Sequence, residues 1–263
     1  MNWENKKVWI IGASSGIGQS LAYAINQKGG FVILSGRNGK ALKATQSQLT
    51  HPQSSGILVL DLTKTDSMEE STAPYEHDFK NIDILIHSGG ISQRSLALDT
   101  TLSSTELILK SNFLGQIPIT QYAAKKMVQQ SSGKIIVITS FTGKWGFFLR
   151  SSYAASKHAL HGYYDSLRME IENFGISVHL VTPGFIATEI SKNALDAKGQ
   201  ATGEMDNNQQ QGISPELCAK QIINGVERGR SEFGVGGKEL KALWIHQYFP
   251  RLFQKILRKQ SAR

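Results

Sequence analysis

Residues 7–18 read KVWIIGASSGIG. A short apolar, β-branched run at 7–11 stops at Gly12, and a helical pattern takes over from 17 to 28. The glycines follow the spacing G-x-x-x-G-x-G. Gly12 permits a sharp turn, Gly16 lets backbone approach a diphosphate, and Gly18 lets the helix pack close to the sheet. With Ser14, Ser15 and Ile17 between them, they put free N–H groups and the positive end of a helix dipole where phosphates can sit. Strand, glycine turn and helix in that order predict a dinucleotide site.

The same alternation continues outward. Further apolar runs lie at 31–34, 57–60, 82–86, 134–138, 176–181 and, weakly, 232–236. Helical spacing fills 38–49, 64–80, 102–130, 152–174 and 215–229. Seven short strands alternating with helices predict an α/β fold: a doubly wound, Rossmann-type parallel sheet flanked by helices on both faces. The apolar stretch after Lys6 and Lys7 is shorter than the ~7–15 residues of a signal-peptide core, so it reads as the first strand. No linker divides the chain. Residues 1–237 read as one dinucleotide-binding and catalytic domain, and 238–263 as a C-terminal extension. Within the domain, the polar segment 189–213 carries little to bury and reads as a lid.

Composition narrows the function classes. The chain has 263 residues, 40 % of them hydrophobic and 19 % charged, which suits a globular protein. One cysteine, Cys218, excludes an internal disulfide framework and a Cys-rich zinc site, and no metal site is expected. No apolar run approaches the ~18 residues of a membrane span. The net charge is +8, but residues 238–263 hold seven Lys/Arg against one acid, leaving +2 for the rest. Basicity confined to a tail argues against a nucleic-acid partner.

The second strand ends Leu34-Ser35-Gly36-Arg37. A carboxylate here would meet a ribose 2′-hydroxyl; Arg37 instead suits a 2′-phosphate, which favours NADP(H) over NAD(H). Asp61 and Leu62, after the third strand, are placed to meet the adenine ring. Further along, Ser140 ends the fifth strand, and Tyr153 and Lys157 follow in SSYAASKHAL. Spacing i, i+4 puts the phenol and the ammonium on one helical face, where the cation favours the phenolate and makes Tyr153 a general acid/base. Tyr122 and Lys126 repeat that spacing without a serine at a strand end before them, and read as an ordinary helix pair.

Taken together, the glycine pattern, Ser140, Tyr153-x-x-x-Lys157 and Pro183-Gly184 resemble the classical short-chain dehydrogenase/reductase family over about residues 5–236. The resemblance implies further roles. Asn112 would kink the central helix and hold a water leading to Lys157. Ser140 would hold a substrate carbonyl oxygen, and Lys157 the nicotinamide ribose. Pro183 and Gly184 open a loop in which Ile186 and Thr188 would face the carboxamide. The family's Asn-Asn-Ala-Gly after strand four is here His87-Ser88-Gly89-Gly90; the two glycines still allow close approach to the cofactor with Ser88, and His87 reads as a packed strand-end residue. The family's Thr before the first glycine is Ile11. Gly89 to Ser95 and the surroundings of Leu160–Leu167 look similar to the dehydrogenase/reductase member 7 group.

The tail carries apolar pairs every four residues, 244/245 to 256/257, opposite Lys255, Arg258 and Lys259, with Pro250 dividing it into two short helices. Such a stripe covers the protein's own pocket or a subunit partner, or lies on an anionic membrane surface. The expectation is a cytoplasmic oxidoreductase interconverting a carbonyl and an alcohol on a small apolar substrate. It would assemble as a homodimer or homotetramer, with peripheral membrane contact through 238–263. The alternative is a non-catalytic nucleotide-sensing or membrane-surface scaffold on the same fold.

Overall fold

A computed structural model describes residues 2–65 and 68–261. In chain order the elements are β1 (Lys7–Ile11), α1 (Gly16–Gln27), β2 (Phe31–Gly36), α2 (Gly39–Ser47), β3 (Ser55–Val59), α3 (Met68–Thr72), α4 (Glu76–Phe79) and β4 (Ile84–His87). Then come α5 (Leu102–Leu109), α6 (Gln116–Gln130), β5 (Gly133–Ile138), α7 (Ser151–Ile171) and β6 (Ile176–Pro183). Last are α8 (Asn207–Gln210), α9 (Pro215–Glu227), β7 (Glu232–Val235), α10 (Lys241–Tyr248) and α11 (Pro250–Ser261).

The seven strands form one parallel sheet in the order β3-β2-β1-β4-β5-β6-β7. Chain order reverses between β1 and β4, and open α/β sheets bind ligands at the carboxyl ends of strands beside that switch. Ile11, the last residue of β1, pairs with Ser35 on one side and His87 on the other. Alternation along β1 feeds two cores. Val8 and Ile10 pack with Leu21, Ile25, Ile222 and Val226 of α1 and α9. Trp9 and Ile11 pack on the other face with Phe79, Ile119, Met127, Leu160 and Tyr164.

Three stretches depart from their sequence reading, two expected as helices and one as a lid. The one expected over 64–80 has residues 66 and 67 outside the described part; the remainder is broken at Pro74, whose ring cannot continue a helix. The one expected over 102–130 is interrupted by a π-helical segment, Lys110–Leu114, around Asn112. The segment 189–213 is less empty than its composition suggested. Ala194 and Leu195 are buried, and Leu195 bridges Gln93 and Ala201, so this stretch has an apolar anchor on the domain.

Candidate active site

The glycine turn forms as expected. Gly12 has φ +85°, and a Cβ there would lie 2.6 Å from Gly89 N; Gly16 has φ +55° and faces the Thr188 side chain. Both positions exclude other residues, the first by contact and both by backbone conformation. Gly18 stands behind the turn, where a Cβ would lie 2.2 Å from Gly12 O. The N-terminus of α1 has no side-chain cap from Ser15 and no acid in its first turn. Its N–H groups therefore open into a cleft lined by Gly12, Ser14, Ser15, Gly16 and Ile17 and could hold a diphosphate.

Arg37 and Leu62 line the far end of this cleft. Asp61 does not. Its Oδ1 accepts from Thr63 N and Thr63 Oγ1, both at 2.9 Å. Burial works to raise its pKa, but those hydrogen bonds and the charges of Arg37 and Lys64 outweigh it and hold the carboxyl below its usual value. Gly18 thus lies behind the turn and Asp61 turns back on Thr63, and neither lines the cleft. Ser88, Gly89 and Gly90 line the cleft beside them, as do Pro183, Gly184, Ile186 and Thr188. His87 is fully buried with Nε2 2.8 Å from Thr120 Oγ1. Burial, then the charge of Lys157, pushes its pKa down to about 3, so it stays neutral and takes no proton near neutral pH.

Tyr153, Lys157 and Ser140 converge on the other end of the cleft. Lys157 Nζ donates to Ile138 O at 3.0 Å and lies 5.8 Å from the centroid of the Tyr153 ring. Burial lowers its pKa to about 8. Burial raises the Tyr153 phenol above its usual value, against a hydrogen bond with Ser140 and the charge of Arg150, which both pull it down. The pull on the phenol comes from Ser140 and Arg150, while Lys157 keeps its charge and donates one of its three N–H groups to Ile138 O. Ser140 Oγ is itself held, accepting from Thr142 Oγ1 at 3.0 Å. Gly90 lets the chain pass close to Asn112 and Lys157: a Cβ there would lie 3.0 Å from Asn112 Oδ1 and 3.8 Å from Lys157 Nζ.

Asn112 does not line the cleft; it clamps its floor. Oδ1 accepts from Ile91 N at 2.7 Å, and Nδ2 donates to Ile91 O at 2.8 Å and Ser156 Oγ at 3.0 Å. The amide thereby ties the chain after β4 to α7. Tyr122 and Lys126 are a half-buried helix pair that does not line the cleft, the ammonium 4.9 Å from the ring centroid and the ring edge to face with Trp9 and Phe79.

The cleft and the chamber it opens into enclose about 820 Å³ together; the chamber is walled largely by apolar side chains, with Arg150 and Asp206 among the polar ones. Phe141, Trp145 and Phe147 form one wall. The C-terminal extension forms the roof through Ile245, Phe253, Ile256 and Leu257. Trp145 and Phe253 meet edge to face at 4.6 Å. Glu239 fastens the extension, accepting from Phe185 N at 3.1 Å. So half of the tail's apolar stripe covers the protein's own cavity, while Trp244, Tyr248, Phe249 and Leu252 are exposed.

Sequence reasoning missed Gln93, Arg150, Asp206 and Glu239. One signal was available. Arg150 caps the N-terminus of α7, where a cation opposes the helix dipole, and such a mismatch marks a residue held for another reason.

A family profile described as short chain dehydrogenase matches residues 6–199. Dehydrogenase/reductase SDR family member 7B of Danio rerio is 33 % identical over all of this chain and 89 % of its own length. Dehydrogenase/reductase SDR family member 7 of Homo sapiens is 33 % identical over 94 % of this chain and 76 % of its own. Among solved structures, a short-chain dehydrogenase from Streptomyces avermitilis superposes with a TM-score of 0.81 at 26 % identity, over 98 % of each chain. One from Burkholderia phymatum in complex with NAD, 17 % identical, reaches 0.85 over 96 % of each chain and shares the fold.

Proposed function

The chain belongs to the short-chain dehydrogenase family of oxidoreductases, and from that premise we propose that it is an NADP(H)-dependent enzyme interconverting a carbonyl and an alcohol on a small apolar substrate. The observation that carries this reading is the meeting of Tyr153, Ser140 and Lys157 at the apolar end of a cleft whose other end is an uncapped helix N-terminus. A nicotinamide dinucleotide bound along that cleft supplies or accepts the hydride. The Tyr153 hydroxyl gives its proton to the substrate oxygen in reduction and takes it back in oxidation. Ser140 Oγ holds that oxygen by a hydrogen bond. Lys157 orients the ribose, and the Asn112 clamp keeps Lys157 and Ser156 on the same floor. Arg37 beside Gly36 favours the 2′-phosphate, with no carboxylate at the end of β2 to repel it.

The cavity walls support an apolar substrate, because Phe141, Trp145, Phe147 and Phe253 offer few polar partners. The exposed aromatic residues of α10 and the basic residues of α11 support a peripheral contact with an anionic membrane surface. Exposed Leu114 and Met169 support association into a homodimer or larger assembly, which light scattering reads directly.

The test is Tyr153→Phe. NADPH-linked carbonyl reduction is expected to disappear while the NADPH-induced rise in melting temperature stays. Full activity in that variant removes the reading. For the cofactor, a ligand at 100 times its Kd adds about 2.7 kcal/mol, so NADPH is expected to raise the melting temperature more than NADH at equal concentration. The reverse order would overturn the role given to Arg37.

A further inference from the structure

We propose that Arg150, clamped between Gln93 and Asp206 of the 189–213 segment, is the second cation of the catalytic centre and couples the seating of that segment to proton transfer at Tyr153. This rests on the reading of Tyr153 as the acid/base.

Three elements meet at this guanidinium. Nη1 donates to Gln93 O, and Nη2 lies 3.4 Å from Asp206 Oδ2. The side chain is 12 % exposed, and Arg150, Asp206 and Tyr153 line the same cavity. Arg94 Nη2 reaches the same Asp206 oxygen at 3.7 Å. One carboxylate therefore serves two guanidiniums, and a net positive charge remains beside the active site.

Gln93 fixes where that charge points. Its side chain is fully buried, and Oε1 accepts from Ser152 N at 2.7 Å and Tyr153 N at 3.1 Å. Nε2 donates to Ser95 Oγ and Thr100 Oγ1. One residue thus holds the first turn of α7 by its amide and Arg150 by its carbonyl. The guanidinium and the backbone of Tyr153 therefore share one anchor. The placement is otherwise unfavourable, since a buried cation sits at the positive end of a helix.

The groups facing the phenol are few. Arg150 and Lys157 come from α7 itself, Ser140 from the end of β5, and Asp206 from the 189–213 segment with Arg94 behind it. Lys157 Nζ, 5.8 Å from the centroid of the Tyr153 ring, is the first cation of the site and donates one of its three N–H groups to Ile138 O. Arg150 lines the same cavity as the phenol, where its charge works to lower the phenol's pKa, and that charge survives to far higher pH than a buried lysine's. Asp206 opposes it. Oδ1 of Asp206 caps α8 through Asn208 N at 3.0 Å, so the other oxygen reaches the arginines only when the segment is folded down. Seating the segment tempers Arg150; lifting it frees the full charge.

The test titrates Tyr153 in the full-length protein by NMR of ring-labelled tyrosine, with Tyr153→Phe assigning the signal and the remaining tyrosines reporting the fold. Arg150→Met is expected to raise the midpoint by about 1 unit or more, Arg150→Lys to restore most of it, and Asp206→Asn to lower it. An unmoved midpoint in Arg150→Met, or an unmoved or raised one in Asp206→Asn, overturns the proposal. If Arg150→Met does not fold, the lowered midpoint required of Asp206→Asn still decides it. Activity surviving in Tyr153→Phe would instead defeat the reading of the site, so the two failures are distinct.

Discussion

Lys157 shows what the active site costs the fold. Burial brings its pKa from 10.5 to about 8, a gap of roughly two to three units, or about 3 kcal/mol at ~1.4 kcal/mol per unit. Below pH 8 both folded and unfolded chains hold the proton, and the whole penalty of the buried charge is present. As pH rises from about 8 towards 10.5 the folded state releases its proton first, so stability climbs in that window. Lys157→Met removes the charge and keeps the length. It also leaves Ile138 O without its donor, which costs about 1–2 kcal/mol. The expected outcome is loss of turnover with a gain of about 1–2 kcal/mol in unfolding free energy at pH 7, read by urea titration. The rise in stability between pH 8 and 10.5 should vanish in the variant. A variant less stable than its parent at pH 7 would show that the ammonium is a net stabiliser. The pair Tyr153 and Lys157 was legible because four residues make one helical turn, and Ser140 because a strand visibly ends there. The clamp on Arg150 was not legible: Arg150 and Asp206 lie 56 residues apart, and only the folded chain brings them together.

At the level of elements, apolar spacing located strands and helices, while the interruption between α5 and α6 was legible only through the resemblance that implied a kink at Asn112. Apolar spacing runs on through 102–130, and a widened turn leaves no trace in it. What makes the turn is local. Gly115 N reaches back five residues to Lys110 O at 2.8 Å, and the extra residue swings Asn112 onto Ile91 and Ser156. Gly115 also lets the helix approach the chain after β3, for a Cβ there would lie 1.7 Å from Leu62 O. Gly115→Ala must push that carbonyl away or unwind the turn, at about 1–3 kcal/mol. Because Leu62 lines the cleft, the same change should weaken dinucleotide binding. Chemical denaturation and an NADPH thermal shift should both fall. A stability within ~0.5 kcal/mol of wild type would mean the contact relaxes freely. The Pro250 break, by contrast, was legible, since proline leaves no choice at the start of α11.

For the molecule as a whole, charge and exposed aromatic surface fall at the same end. Among the described residues no helix is long and apolar enough to cross a membrane. Trp244 packs against Tyr248 and Phe249 at ring distances of 5.5 and 5.3 Å, yet it is 57 % exposed and Tyr248 59 %. This is an aromatic cluster turned outward, while Ile245 and Phe253 turn inward over the cavity. Arg251, Lys255 and Lys259 follow on α11, which holds no acid. Each basic residue near an anionic surface contributes about 1 kcal/mol, and salt screens it. Burying an indole and a phenol at the headgroup level adds a part that salt leaves in place. Full-length protein is therefore expected to pellet with phosphatidylserine-containing vesicles. Added salt should weaken the binding without abolishing it, and Trp244→Ser with Tyr248→Ser should remove the salt-resistant part. Both substituted side chains lie outside the cavity wall, so NADPH binding should be unchanged in that double variant. Equal pelleting of the double variant and its parent at high salt would place the contact elsewhere and leave the extension as a roof alone.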